Sequence, residues 1–128
     1  MLGKLVPFGY ATPDAQARLE ALMQNKKTML VNIRFNPVSR WNPVWRKKTL
    51  QLTWQERYYA LPCLGNINYK GGPILIANPD LGIPVLVRIL QRGCNLILLC
   101  ACAKYETCHR KVVCELVRQV LPEVEVIL

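Results

Sequence analysis

The chain is short of acid, and the shortage is concentrated. Eight Asp and Glu stand against 17 Lys and Arg in 128 residues, for a formal net charge of +9. Between Glu20 and Glu56 there is no acidic residue, although that stretch carries Lys26, Lys27, Arg34, Arg40, Arg46, Lys47 and Lys48. Long apolar runs are equally scarce. The longest, residues 96–103, is far too short to span a bilayer, which excludes a membrane-crossing helix and argues against a membrane partner. The opening MLGKLVPFGY has no apolar segment followed by a small-residue cleavage site, so no secretory leader is expected and a cytoplasmic location is predicted. Internal repeats and low-complexity tracts are also missing. Histidine occurs once, at His109.

The residues present describe a globular chain. Hydrophobic residues make up 52% and charged residues 20%, enough for one self-sufficient core, so a single domain over residues 1–128 is expected. Trp41, Trp45 and Trp54 are interleaved with the cations of the acid-free stretch. A basic, aromatic segment of this kind suits a phosphate-bearing partner whose bases stack on exposed indoles. The same residues also fit a solvated basic face with its tryptophans turned into the core. Six cysteines (63, 94, 100, 102, 108 and 114) are an even number, but a cytoplasmic chain keeps its thiols reduced. Cys94 and Cys114 are then expected to act as small buried apolar residues.

Strand and helix patterns alternate. Residues 4–9 read as a first strand, and Thr12 with Pro13 as the cap and first turn of a helix to about residue 25. Residues 28–35 read as a second strand, and Asn42 with Pro43 as a second cap-plus-proline signature opening a helix toward residue 52. A short third strand is expected at 57–61. A Gly- and Pro-rich loop follows over 62–80, with a candidate strand at 74–77, and then a helix around 83–91. The apolar run after Gly93 predicts a strand buried on both faces at 96–101. Val112, Val113, Leu116, Val117 and Val120 mark an amphipathic last helix, and residues 124–128 a closing strand. The fold class that follows is α/β: three layers, αβα, around a mostly parallel sheet of about five strands.

In such a sheet ligands bind at the carboxyl ends of the strands. The loops at those ends carry residues 9–12, 34–42, 64–66 and 100–110, so Arg34, Arg40, Cys100, Cys108 and Arg110 are expected to converge. Thr107 is placed to cap the last helix, with Cys108, His109 and Arg110 in its first turn, where free N–H groups and the helix dipole favour an anion or a thiolate. His109 falls near the centre of the apolar stripe, so a packing role with one ring nitrogen on a backbone carbonyl competes with a base or ligand role. Arg34 and Arg40 have the forked donors that suit phosphate or carboxylate, and an ion pair with an acid such as Glu106 suits them equally. Cys100, Cys102, Cys108 and His109 would make a Cys₃His zinc set. Strand spacing sends Cys100 and Cys102 to opposite sides, Cys108 and His109 diverge on a helix, and no Cys-x₂-Cys knuckle is present. No metal site and no cofactor are therefore assigned. Counting back from Arg110 gives Lys104 rather than cysteine, so a Cys-x₅-Arg phosphatase loop is absent.

Three motifs, VNIRFNPVSRWNP (31–43), LPCLGN (61–66) and LLCACAKYETCHR (98–110), together resemble the family known as domain of unknown function 488. Its members show a strand ending in Asp-Val-Arg, a Pro-x-Ser-Arg/Lys-x-Asn-Pro loop, a Leu-Gly-Gly segment and a late Leu-Cys-x₇-Cys-His-Arg motif. The resemblance carries over Arg34, Pro37, Ser39, Arg40, Asn42, Pro43, Leu64, Gly65, Cys100, Cys108, His109 and Arg110. Asn32 stands where aspartate is usual, Cys102 where an acid is common, and Asn66 where a second glycine is usual. The resemblance implies a compact α/β fold with these motifs clustered and no settled activity.

The leading expectation is a nucleic-acid- or nucleotide-associated protein with an anion pocket formed by Arg34, Ser39, Arg40, Asn42, Gly65 and Arg110. Cys108, Cys100 and His109 are the candidate catalytic residues of a rival, a thiol-dependent enzyme acting on a small anionic substrate. A non-catalytic protein-interaction module is the third reading.

Overall fold

The computed structural model describes residues 1–36, 43–102 and 104–128. Ser39, Arg40, Trp41 and Asn42 lie outside the described residues. Four strands, β1 (Leu5–Gly9), β2 (Thr28–Asn32), β3 (Tyr58–Ala60) and β4 (Asn95–Cys100), form one sheet in the order β1-β4-β2-β3, with every pairing parallel. Among the described residues four α-helices accompany them: α1 (Ala15–Met23), α2 (Lys47–Trp54), α3 (Pro79–Gln91) and α4 (His109–Val120).

Side-chain alternation along β4 divides the core in two. Leu96, Leu98 and Cys100 face a cluster built with Ile83, Leu86, Val87 and Leu90 of α3 and Val113, Cys114 and Val117 of α4. Ile97 and Leu99 face the opposite cluster, which holds Ala15, Leu19 and Met23 of α1, Leu50 of α2, and Trp45. The expected three-layer α/β architecture is therefore present. β4 is buried on both faces because it lies between β1 and β2, which explains its unbroken apolar sequence.

Among the described residues the sheet has four strands rather than five. Residues 124–128 do reach the outer edge of β1, but only as a single parallel bridge from Val126 to Leu5. Leu5 N–H donates to the Glu125 carbonyl and Ile127 N–H to the Leu5 carbonyl, each at 2.9 Å. Alternate residues of β1 turn their backbone to this edge, and the next one, Pro7, has no N–H to offer.

Other boundaries also move. β2 stops at Asn32 instead of reaching residue 35, because Arg34 N–H turns back to Asn32 Oδ1 at 3.1 Å. The first helix begins at Ala15 with Asp14 in the cap position, and Thr12 contributes its carbonyl to Ala15 N–H rather than a side-chain cap. A 3-10 turn, Pro43–Trp45, precedes α2, which starts only at Lys47. α3 starts earlier than expected, with Asn78 Oδ1 accepting from Leu81 N–H and Pro79 in the first turn. It ends before Gly93, whose φ of +83° is a conformation glycine adopts at low cost. Ile76 makes one antiparallel bridge to Asn66 instead of a strand over 74–77. Among the described residues no helix is long and apolar enough to cross a membrane.

Candidate functional site

The topology positions a crevice. The connections after β1 and β2 lead to helices on one face of the sheet, whereas the connection after β4, their neighbour, leads to α4 on the other. Loops that leave adjacent strands in opposite directions open a cleft at the carboxyl ends. A cavity of about 290 Å³ lies there, lined by Tyr10 after β1, by Arg34, Phe35 and Asn36 after β2, and by Cys100, Cys102 and His109 around the β4–α4 turn. Asn66 and Tyr69, from the loop after β3, complete its described wall. Of the residues expected to converge, Arg34 and Cys100 line this cleft together, and His109 joins them.

Arg34 is only 6% exposed and is held on neutral acceptors. Its Nε donates to Asn32 Oδ1 at 2.9 Å, one terminal nitrogen to the Tyr10 hydroxyl at 2.8 Å, and the other to the Trp45 carbonyl. Asn32 is itself fully buried and donates through Nδ2 to the Tyr58 hydroxyl at 2.9 Å. The Tyr10 ring stacks on Trp45 with centroids 4.8 Å apart and lies under the Arg34 guanidinium. Ion pairs among the described residues are Lys4–Glu125 and Lys111–Glu106, so Arg34 has no carboxylate partner and the alternative pairing with Glu106 does not form. Trp45 is 2% exposed and Trp54 half-buried beside the same core, so neither is the freely exposed indole that base stacking would need.

The thiol cluster corrects the expected divergence of its side chains. Cys102 lies beyond the end of β4, so strand alternation no longer governs it. The donor atoms of Cys100, Cys102, Cys108 and His109 all lie within 4.8 Å of one another. Thr107 does not cap α4; it ends a 3-10 turn, Tyr105–Thr107, and Cys108 takes the cap position with α4 starting at His109. Cys108 Sγ is 3.0 Å from Cys100 Sγ, 3.6 Å from His109 Nδ1 and 3.3 Å from Arg110 Nε, which donates to it. Arg110 also donates to the Cys102 carbonyl at 3.3 Å and, like Arg34, pairs with no carboxylate among the described residues. His109 Nε2 is 2.8 Å from the Ile33 carbonyl. A carbonyl can only accept, so Nε2 carries the proton and Nδ1 faces the sulfurs. The backbone-carbonyl role considered for His109 is present, and it coexists with a position at the thiol cluster.

The protons are unequally shared. Hydrogen bonds from Cys100 and Cys102 pull the Cys108 thiol far below the ordinary range, against the opposing effect of burial. The same contacts with Cys102 and Cys108, added to burial, push Cys100 far above it. Burial disfavours charge on His109, but hydrogen bonds to Cys102, Cys108 and the Ile33 carbonyl outweigh it and raise the ring to about 9. Cys108 is 1% exposed and does not line the cleft, whereas Cys102 is partly exposed and does. A substrate in the cleft would therefore meet Cys102 before Cys108.

Gly65 has a packing role. A Cβ there would fall 2.3 Å from the Phe35 backbone nitrogen, so the glycine allows the loop after β3 to press against the backbone after β2. Arg110 lies behind the thiols rather than on the cleft wall. Sequence reasoning did not single out Tyr10, Phe35, Asn36 and Tyr69 as site residues, although the first three lie in loops it placed at the strand ends. No family model, curated protein or solved structure matches the chain, and the resemblance to the domain of unknown function 488 rests on the three motifs alone.

Proposed function

We propose that the protein is nucleotide-associated, binding a small anionic, ring-bearing ligand in the cleft at the carboxyl ends of β1, β2 and β4. The observation that carries this reading is Arg34, a buried cation on the cleft wall satisfied only by neutral acceptors. A desolvated guanidinium without a counter-charge favours an arriving anion, and each terminal nitrogen that makes one bond keeps a second N–H. Aromatic side chains add a surface for a ring: Phe35 and Tyr69 are 40% and 50% exposed, with centroids 6.2 Å apart. Asn36 and Asn66 supply neutral donors and acceptors nearby. At about 290 Å³ the cavity is at the small end of ligand pockets, which suits one nucleotide unit rather than a duplex. The surrounding net charge of +9 favours encounter with phosphate.

The test is calorimetry with adenosine monophosphate, inorganic phosphate and adenosine, alongside fluorescence anisotropy with short single and double strands, over a range of salt. Saturable binding of the monophosphate is expected, stronger than that of adenosine and weakening as salt rises. Tyr69→Ala should weaken it by about tenfold through loss of stacking. Binding that is absent, or indifferent to salt and to the phosphate, overturns the reading.

A further inference from the structure

We propose that Cys100, Cys102, Cys108 and His109 form a binding site for one thiophilic divalent cation of the zinc class. The site goes beyond the cleft ligand and stands independently of it. Three thiolates and one imidazole are a donor set that zinc takes in closed, four-coordinate structural sites. With Zn–S bonds of about 2.3 Å, the edges of such a tetrahedron are roughly 3.8 Å long. The donor atoms bracket that length: 3.0 Å for Cys100–Cys108, 3.6 Å for Cys108–His109 Nδ1, and no pair beyond 4.8 Å. Holding all four around one centre would require the short Cys100–Cys108 pair to spread and the longest pair to close.

Two further features belong to a metal site rather than to a chance cluster. Nε2 of His109 is anchored on the Ile33 carbonyl at 2.8 Å, which leaves Nδ1 aimed at the sulfurs, where an arriving cation would displace any proton it carries. Metal-bound histidines are commonly oriented through the other ring nitrogen in this way. Charge is also compensated. A divalent cation with three thiolates and a neutral imidazole has one excess negative charge, and Arg110, 4% exposed and donating to Cys108 Sγ at 3.3 Å, offsets it. A buried cation without a carboxylate then has an anionic partner. The site ties the end of β4 to the start of α4 across the turn that contains the 3-10 helix Tyr105–Thr107. Because the protein would supply all four ligands, the role is to hold this turn and the floor of the cleft rather than to activate a water.

The experiment begins with protein reduced under argon, its six free thiols verified by titration, and uses Co²⁺ and Zn²⁺ as probes. Co²⁺ should bind at one per chain, with thiolate charge-transfer absorption and the intense visible bands of tetrahedral cobalt, and Zn²⁺ should displace it. Zn²⁺ should release protons into weak buffer and shield Cys102, the partly exposed thiol of the cluster, from iodoacetamide while leaving Cys63 and Cys94 reactive. Cys102→Ser, at a partly exposed position, should remove about a third of the charge-transfer intensity and weaken binding by tenfold or more. Cys94→Ser should change neither. The proposal is overturned if reduced wild-type protein gives no tetrahedral cobalt spectrum, if Zn²⁺ shields Cys63 or Cys94 instead, or if Cys102→Ser leaves the spectrum unaltered. A reduced protein that ignores both metals but forms a Cys100–Cys108 disulfide on mild oxidation overturns it in favour of a thiol pair. The wild-type shielding pattern decides the matter even if a variant fails to fold.

Discussion

Asn32 Oδ1 accepts two hydrogen bonds from Arg34, one from its backbone N–H at 3.1 Å and one from Nε at 2.9 Å. One neutral amide thereby ends β2, aims the guanidinium along the cleft and leaves its charge uncancelled. In relatives of the family the chain resembles, aspartate is usual at this position. A carboxylate there would orient Arg34 equally well and neutralise it. The single exchange of oxygen for nitrogen therefore bears on the charge of the cleft without bearing on its shape.

Asn32→Asp is accordingly expected to keep or raise the melting temperature, because the buried guanidinium gains an ionic partner and Tyr58 can turn its hydroxyl to donate. Affinity for adenosine monophosphate should fall by about tenfold, about 1.4 kcal/mol, as the arriving phosphate meets a cation already paired. Calorimetry and thermal unfolding of the same sample separate the two effects. Unchanged affinity would show that Arg34 is not the source of anion preference.

Gly65→Ala tests whether this glycine shapes the fold or cradles a ligand. A Cβ would lie 2.3 Å from Phe35 N and 2.4 Å from its Cα, both backbone atoms that cannot swing aside. The two loops must separate, so unfolding in urea should show a loss of about 2 kcal/mol or more. Because Phe35 lines the cleft, ligand affinity should fall as well. A variant of undiminished stability with impaired binding would instead support a direct contact between Gly65 and phosphate.

Periodicity made the four helices of the described residues and four of the six strand segments read from the sequence legible, because each element buries one stripe or one pleat against the sheet or the helices. The ends of elements were less legible. Strand β2 stops where Asn32 captures the next backbone donor, and no propensity scale encodes that contact. At the site, Arg34 and Cys100 followed from strand-end logic, since their positions depend on elements with clear patterns. Cys102 did not. Alternation predicts its direction only while the strand continues, and once β4 ends at Cys100 the turn decides where the sulfur goes. Tyr10 and Tyr69 belong to loops whose course is set by tertiary contacts, so their meeting in the cleft left no local trace.

Cys114 provides an alkaline stability probe outside the thiol cluster. Burial chiefly pushes its thiol from 9.0 up to about 11, despite the opposing hydrogen bond with Tyr105. The folded state therefore holds a proton that the unfolded chain releases first. As pH rises above 9.0 the unfolded chain gains the ionised form while the folded one does not, so stability declines until the pH passes about 11. Two pH units correspond to about 2–3 kcal/mol. Urea unfolding from pH 8 to 11 should show the decline in the wild type, and Cys114→Ala should flatten it by that amount. Equal slopes would mean that Cys114 ionises in the folded protein as easily as in the unfolded one.

Pro7 explains why the fifth strand is reduced to one bridge, and its replacement tests that account. Leu5 already gives and receives a hydrogen bond at the outer edge of β1, and residue 7 presents its backbone to the same edge. Pro7→Val restores a donor there, and the ladder toward residues 126–128 can then extend. The added bond is worth about 0.5–1.5 kcal/mol. Removing proline also releases unfolded-state entropy worth about 0.4–1 kcal/mol, so global stability should shift by less than about 1 kcal/mol. Hydrogen exchange is therefore the decisive measurement. The amide introduced at position 7 should be protected to the level of its neighbours, and protection at Ile127 should rise with it. If that new amide exchanges freely, the proline is not what limits the ladder.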